Sequence, residues 1–169
     1  MYVLFLIALA AIFFSVVFWT IKTGISPMPT STKIKKALFK ALPDSMEGTI
    51  VELGSGWGTL ALPLARRYSK CQIIAYELSP LPYAVSCLLK CIYRQKNLEI
   101  KRVDFFSEPL QNASMAICYL YPGAMKRLKE KFEKEGHHLV VSHTFSVPGW
   151  TPIKTVAVHD LYNTKIYFY

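Results

Sequence analysis

Thr49-Ile50-Val51-Glu52-Leu53-Gly54-Ser55-Gly56-Trp57-Gly58 decides how the rest of the chain reads. A short apolar run ends in an acid and then breaks into three glycines at every second position. An apolar run of this length, bounded by a glycine cluster, predicts a buried strand. The helical spacing over 59–68 that follows predicts a strand–turn–helix unit, with Pro63 in the first turn, where a missing amide costs little. Glycines at such a turn permit a tight bend and let a ligand approach the backbone. The amides opening the helix offer hydrogen-bond donors. The spacing is not the Gly-x-Gly-x-x-Gly of a dinucleotide loop, because the third glycine comes one residue early. A nicotinamide-dependent reductase is therefore disfavoured.

Working outward from the loop, strand and helix patterns alternate. Strands are predicted over 49–53, 71–76, 98–103, 115–120, 139–145, 155–159 and 165–169, and helices over 33–42, 59–68, 81–93 and 124–135. The run 115–120 is nearly all apolar, as a central parallel strand should be. This alternation gives an α/β fold, a Rossmann-like, doubly wound and mostly parallel sheet with its binding crevice at the carboxyl ends of the strands. Glu77 ends the second strand about twenty residues beyond the loop, where a carboxylate meets ribose hydroxyls in nucleotide-binding folds.

The chain has 169 residues, 52% of them hydrophobic. That share is high for a soluble protein, and the excess has one address. Residues 2–21 carry no charge, and as a helix they would reach about 30 Å, the thickness of the hydrocarbon core. Tyr2 and Trp19 lie near the two ends, where amphipathic rings meet both lipid and water. No basic residue precedes the run, which argues against a cleaved signal peptide. Lys22, Lys33, Lys35, Lys36 and Lys40 follow it, which predicts a single-pass membrane protein with its folded domain on the cytoplasmic side. The expected organisation is an anchor over 1–22, a connector over 23–32 and one folded domain over 33–169.

The formal net charge is +9. With an anchor present, the expected partner of that charge is the membrane lipid bilayer, since basic residues near anionic lipid gain about 1 kcal/mol each. No RNA-binding signature with aromatic spacing occurs, and no nucleic-acid partner is expected. Cys71, Cys87, Cys91 and Cys118 lack metal-ligand spacing, so no metal site is expected.

The acid-x-Gly-x-Gly-x-Gly pattern of Glu52, Gly54, Gly56 and Gly58 resembles motif I of the class I, seven-strand S-adenosylmethionine-dependent methyltransferases. Glu52-Leu53-Gly54-Ser55-Gly56 and Tyr76-Glu77-Leu78 carry that likeness further, with Met125, Pro29-Thr30-Ser31-Thr32-Lys33 and Phe145-Ser146-Val147-Pro148-Gly149-Trp150-Thr151-Pro152. Together they resemble the membrane-anchored lysine methyltransferases that modify the ATP synthase c subunit and the adenine nucleotide translocase. The resemblance spans nearly the whole chain. Departures are Glu52, where the family often has Asp, Trp57 in place of an acid, and 119–123, which differs from motif IV of the eukaryotic members.

The resemblance implies S-adenosyl-L-methionine as cofactor, held by Thr30, Glu52, Gly54, Ser55, Gly56, Gly58, Glu77, Leu78, Asp104 and Phe105. Asp104 would meet the adenine amino group, and Phe105 would pack on the ring. Tyr119, Tyr121 and Pro122, ending the fourth strand, would form the methyl-transfer site. His143 is expected to be structural. The implied acceptor is a lysine on a membrane-associated protein. The alternatives are a lipophilic small-molecule acceptor, such as a quinone or lipid, and a non-catalytic membrane adaptor.

Overall fold

The computed structural model describes residues 2–24, 28–136 and 139–169. The first element, α1 (Tyr2–Thr23), is 22 residues long. Its length and composition suffice to cross a membrane. Phe5, Phe13, Phe14, Phe18 and Ile21 are all exposed on it, an apolar surface too large for water to favour. The helix runs two residues beyond the predicted 2–21, and residues 25–27 of the predicted connector lie outside the described residues.

Next comes α2 (Thr32–Ala41), which begins where Ser31 accepts a hydrogen bond from the Ile34 N–H at 3.3 Å. That cap satisfies an amide the helix cannot pair internally. Ile34 and Leu38 form its buried stripe. The remaining elements are β1 (Thr49–Leu53), α3 (Ala61–Arg67), β2 (Gln72–Tyr76), α4 (Pro80–Ile92), β3 (Leu98–Lys101), β4 (Ala113–Cys118), α5 (Pro122–Glu135), β5 (Leu139–His143), β6 (Lys154–Ala157) and β7 (Lys165–Phe168). A single 3-10 turn, Phe105–Ser107, lies between β3 and β4. Every predicted strand and helix is present, and all but β1 have shifted ends. The helix predicted from residue 59 starts at Ala61, because the glycine turn continues through Leu60. The strands predicted over 98–103 and 115–120 end at Lys101 and Cys118, where the chain leaves the sheet to line the crevice.

The seven strands form one sheet in the order β3-β2-β1-β4-β5-β7-β6. The pairs from β3 through β5 are parallel; β7 runs antiparallel to both β5 and β6. Strand order reverses at β1, which pairs β2 on one side and β4 on the other, so the crevice opens between β1 and β4.

Two cores flank the sheet. One buries Leu38, Leu64 and Ile73 under α2 and α3, with Tyr83 and Leu89 of α4 against it. The other buries Met125, Leu128 and Phe132 of α5 together with Val147 and Tyr169. On this second face a non-helical segment completes the cover: Tyr169 Oη accepts the Val147 N–H at 2.9 Å, and Trp150 meets the Tyr169 ring edge-on at 5.6 Å. Asn97 ties the α3 end to β3 by donating to the carbonyls of Ala65, Tyr68 and Cys71 at 3.0, 3.1 and 3.1 Å.

Candidate active site

The loop after β1 is held from beneath. The N–H groups of Gly54 and Ser55 both donate to the Tyr76 carbonyl, at 3.0 and 2.8 Å. Gly54, Gly56 and Gly58 have φ of +77°, +54° and +71°, a region that disfavours any side chain. Two of them differ in surroundings. A Cβ at Gly58 would lie 2.8 Å from Ser86 Cβ, so this glycine lets the loop approach α4. A Cβ at Gly56 would meet nothing within 4 Å; this stretch of backbone borders open space.

Glu77 fixes the loop from the side. Its Oε2 accepts the Gly56 N–H and its Oε1 the Ser79 N–H, both at 2.7 Å. One carboxylate therefore joins the glycine loop to the start of α4. Each oxygen keeps a second lone pair for a ligand hydroxyl.

A cavity of about 230 Å³ lies at this loop. Of the residues predicted for the site, Thr30, Glu52, Gly54, Ser55, Gly56, Glu77, Leu78, Asp104, Phe105, Tyr119 and Tyr121 line it. Gly58 and Pro122 do not. Gly58 acts behind the loop, and Pro122 opens the first turn of α5, where its missing amide costs nothing. Asp104 also shapes its own turn, since its Oδ1 accepts the Phe106 N–H at 3.0 Å and caps the 3-10 segment.

Besides Arg67 Nε, which lies away from this site, three buried polar atoms have no hydrogen-bond partner among the described residues: Glu52 Oε2, Ser55 Oγ and His143 Nε2. All three residues line the cavity. Unpaired buried polar groups cost about 1–3 kcal/mol each, and a polar ligand would remove that cost. Burial, and secondarily the charge of Glu77, pushes the Glu52 carboxyl up to about 8, against a backbone hydrogen bond from Ala61. Burial pushes the His143 imidazole down to about 4. The imidazole stacks on Tyr119 at 4.4 Å, with Phe145 parallel beyond it at 6.3 Å from Tyr119.

Sequence reasoning missed Lys22, Thr23, Met28 and Arg127, which also line the cavity. Arg127 sits on the charged helix α5, and its guanidinium lies 3.8 Å over the Phe106 ring. Nothing in the spacing of α5 marks it apart from its basic neighbours. Among the described residues no group of three or more His, Cys, Asp or Glu is placed to hold a metal ion.

The fold and loop have counterparts in known proteins. A protein-lysine N-methyltransferase from Saccharolobus islandicus is 24% identical over 147 residues, covering 84% of this chain and 91% of the relative. The crystal structure of an RNA methyltransferase from Salinibacter ruber in complex with S-adenosyl-L-homocysteine superposes with a TM-score of 0.74. It is 21% identical and covers 84% of this chain and 92% of that one. A precorrin-6y C5,15-methyltransferase from Geobacter metallireducens gives a TM-score of 0.61 at 12% identity, over 82% and 87% of the two chains. These likenesses to solved structures establish the class I methyltransferase fold. The family model of the ANTKMT methyltransferase domain matches residues 52–154, from the acid of the glycine loop to the first residue of β6. The chain belongs to the ANTKMT methyltransferase family.

Proposed function

We propose that this methyltransferase uses S-adenosylmethionine to methylate a lysine side chain of a membrane-associated protein, with α1 as its anchor and the catalytic domain on the cytoplasmic side. The observation that carries the reading is the set of unpartnered buried atoms, Glu52 Oε2 and Ser55 Oγ, facing a cavity bounded by an open glycine loop. They suit the amino-acid end of the cofactor. Glu52 would take its ammonium and Glu77 its ribose hydroxyls. Asp104 and Phe105 would take the adenine edge and face, and Thr30, Leu78 and Gly54 would complete the walls. Gly58 serves the cofactor indirectly, by seating the loop against α4. The lysine relative supports a protein amine as acceptor, and Lys33, Lys35, Lys36 and Lys40 suit an anionic lipid surface on that side.

S-adenosylmethionine supplies a methyl group activated on a sulfonium. The protein's share is to hold the acceptor amine in line with it and to exclude water. Tyr119 and Tyr121 lie at the carboxyl end of β4 and line the cavity; their ring faces can attract an incoming ammonium. That amine must lose a proton, and apolar walls depress its reference value of about 10.4. His143 is unsuited as the base. With its imidazole near 4, taking a proton from an ordinary lysine would cost on the order of 9 kcal/mol. Its role in this reading is that of a neutral hydrogen-bond acceptor behind Tyr119, and the amine gives up its proton to solvent before it enters the water-excluded site.

The test is incubation of the detergent-solubilised chain with methyl-labelled S-adenosylmethionine and membrane fractions. Label recovered on lysine after hydrolysis supports the reading. Label extracted with lipid replaces the acceptor by a lipophilic small molecule. Label in neither, from a chain that binds the cofactor, supports the adaptor.

A further inference from the structure

The end of α1 does more than tether. Lys22 and Thr23, its last two residues, line the same cavity as Glu52 and the glycine loop. Further back, Ser15, Val16 and Trp19 border a small cleft with Ser79, Leu81 and Pro82 at the start of α4. On the other side, a Cβ at Gly24 would lie 2.9 Å from the Tyr121 ring. Ser79 follows β2 and Tyr121 follows β4, so the last turns of α1 span the carboxyl end of β1, which lies between those strands. The turn is itself well fixed. Thr23 Oγ1 donates to the Trp19 carbonyl at 2.7 Å, Gly24 N–H donates to the Thr20 carbonyl at 2.9 Å, and Lys22 Nζ sits 4.7 Å over the Trp19 ring. Gly24 has φ +75°, which lets the chain turn off the helix against Tyr121 without a side chain in the way.

We propose that the last turn of α1 is a wall of the cofactor-binding cavity, with Lys22 and Thr23 facing the ligand and Gly24 seating the turn on Tyr121. This rests on the methyltransferase reading and extends it: the anchor completes the site as well as locating it. An acceptor entering beside this wall would do so at the level of Trp19 and Lys22, where a membrane-crossing helix meets the lipid headgroups.

The test uses the full chain in detergent, where membrane targeting plays no part. The first readout is the acylation rate of individual lysines by an N-hydroxysuccinimide ester, with and without saturating S-adenosylhomocysteine. Lys22 should be slowed at least fivefold by the ligand, while Lys33, Lys35 and Lys36 on the outside of α2 keep their rates. The second readout is calorimetric affinity. Gly24→Val, which drives a side chain into the Tyr121 ring, should weaken S-adenosylhomocysteine binding at least tenfold. Ile7→Ala, on the same helix and far from the crevice, should leave it unchanged. Heat of binding with no protection of Lys22 would overturn the wall while leaving the cofactor reading intact. Unaltered affinity in Gly24→Val would do the same. Absence of binding heat from folded wild type would overturn both.

Discussion

Glu52 lies inside the protein with one carboxyl oxygen unpartnered, and burial keeps its proton on to about pH 8. A ligand ammonium placed against it favours the carboxylate, so binding at pH 7 must release a proton. Affinity for S-adenosylhomocysteine should therefore rise as pH goes from 6 to 8, by up to about tenfold per pH unit. Calorimetry in buffers of different ionisation enthalpy will count the proton. Glu52→Gln should flatten the dependence, and a wild type that is itself flat would refute the pairing. Folding stability has its own sign. A carboxyl raised in the folded state contributes its stability below its unfolded value and loses it as pH rises toward 8. Glu52→Gln should thus melt higher than wild type at pH 8 in the absence of ligand. Glu77 acts through geometry, because both its oxygens already hold backbone amides. Glu77→Ala frees the loop from α4, and hydrogen bonds to a charged group are worth about 1.5–3 kcal/mol. Cofactor affinity should fall roughly 10- to 100-fold in a protein that still folds; unchanged affinity would show that the loop needs no such tie.

The glycine loop shows how two residues of like conformation serve different elements. Gly56 and Gly58 both have positive φ, and an alanine at either loses about 1–2 kcal/mol to that. Only Gly58 has a neighbour in the way, Ser86 Cβ of α4. Gly58→Ala should cost a further 1–3 kcal/mol or so, typical of overpacking, read as a lower urea midpoint than that of Gly56→Ala. Gly56→Val should fold and lose cofactor binding, because its side chain enters the space beside the loop. Equal midpoints for the two alanine variants would mean that α3 and α4 yield at this contact. Elements of this kind were legible in the sequence where a local rule applied. The run Thr49–Leu53 has the predicted bounds, because its apolar residues end at a glycine no strand continues through. Strand ends near the crevice were less legible, since Val103 and Leu120 keep an apolar pattern while lining the cavity. The contribution of Lys22, Thr23 and Arg127 had no local signal at all. It arises from how α1 and α5 are set against the sheet, and spacing within one helix carries no record of that.

Across the whole molecule, one end of the sheet gathers the cavity, the end of the apolar helix and an exposed apolar loop. The carboxyl ends of the parallel strands carry the cavity and the last turn of α1. Thr144 N–H donates to the Lys165 carbonyl at 2.9 Å, which places the segment before β7 at that same end. There Leu161 and Tyr162 are 95% and 88% exposed, two large apolar side chains with nothing covering them. If α1 crosses a bilayer as proposed, they would enter its interfacial layer beside that helix. A bimane probe at Leu161→Cys, in a Cys87→Ser, Cys91→Ser background in nanodiscs, should be quenched by headgroup nitroxides. A probe at Lys134→Cys, at the far end of α5, should not. Equal quenching at the two positions would mean that the domain does not present this end to the lipid. All of this depends on the cavity holding S-adenosylmethionine, and calorimetric titration of that cofactor into the detergent-solubilised full chain tests it most directly. Saturable one-to-one binding, competed by S-adenosylhomocysteine and lost in Gly56→Val, is the expected result. A folded chain that gives no heat would contradict it.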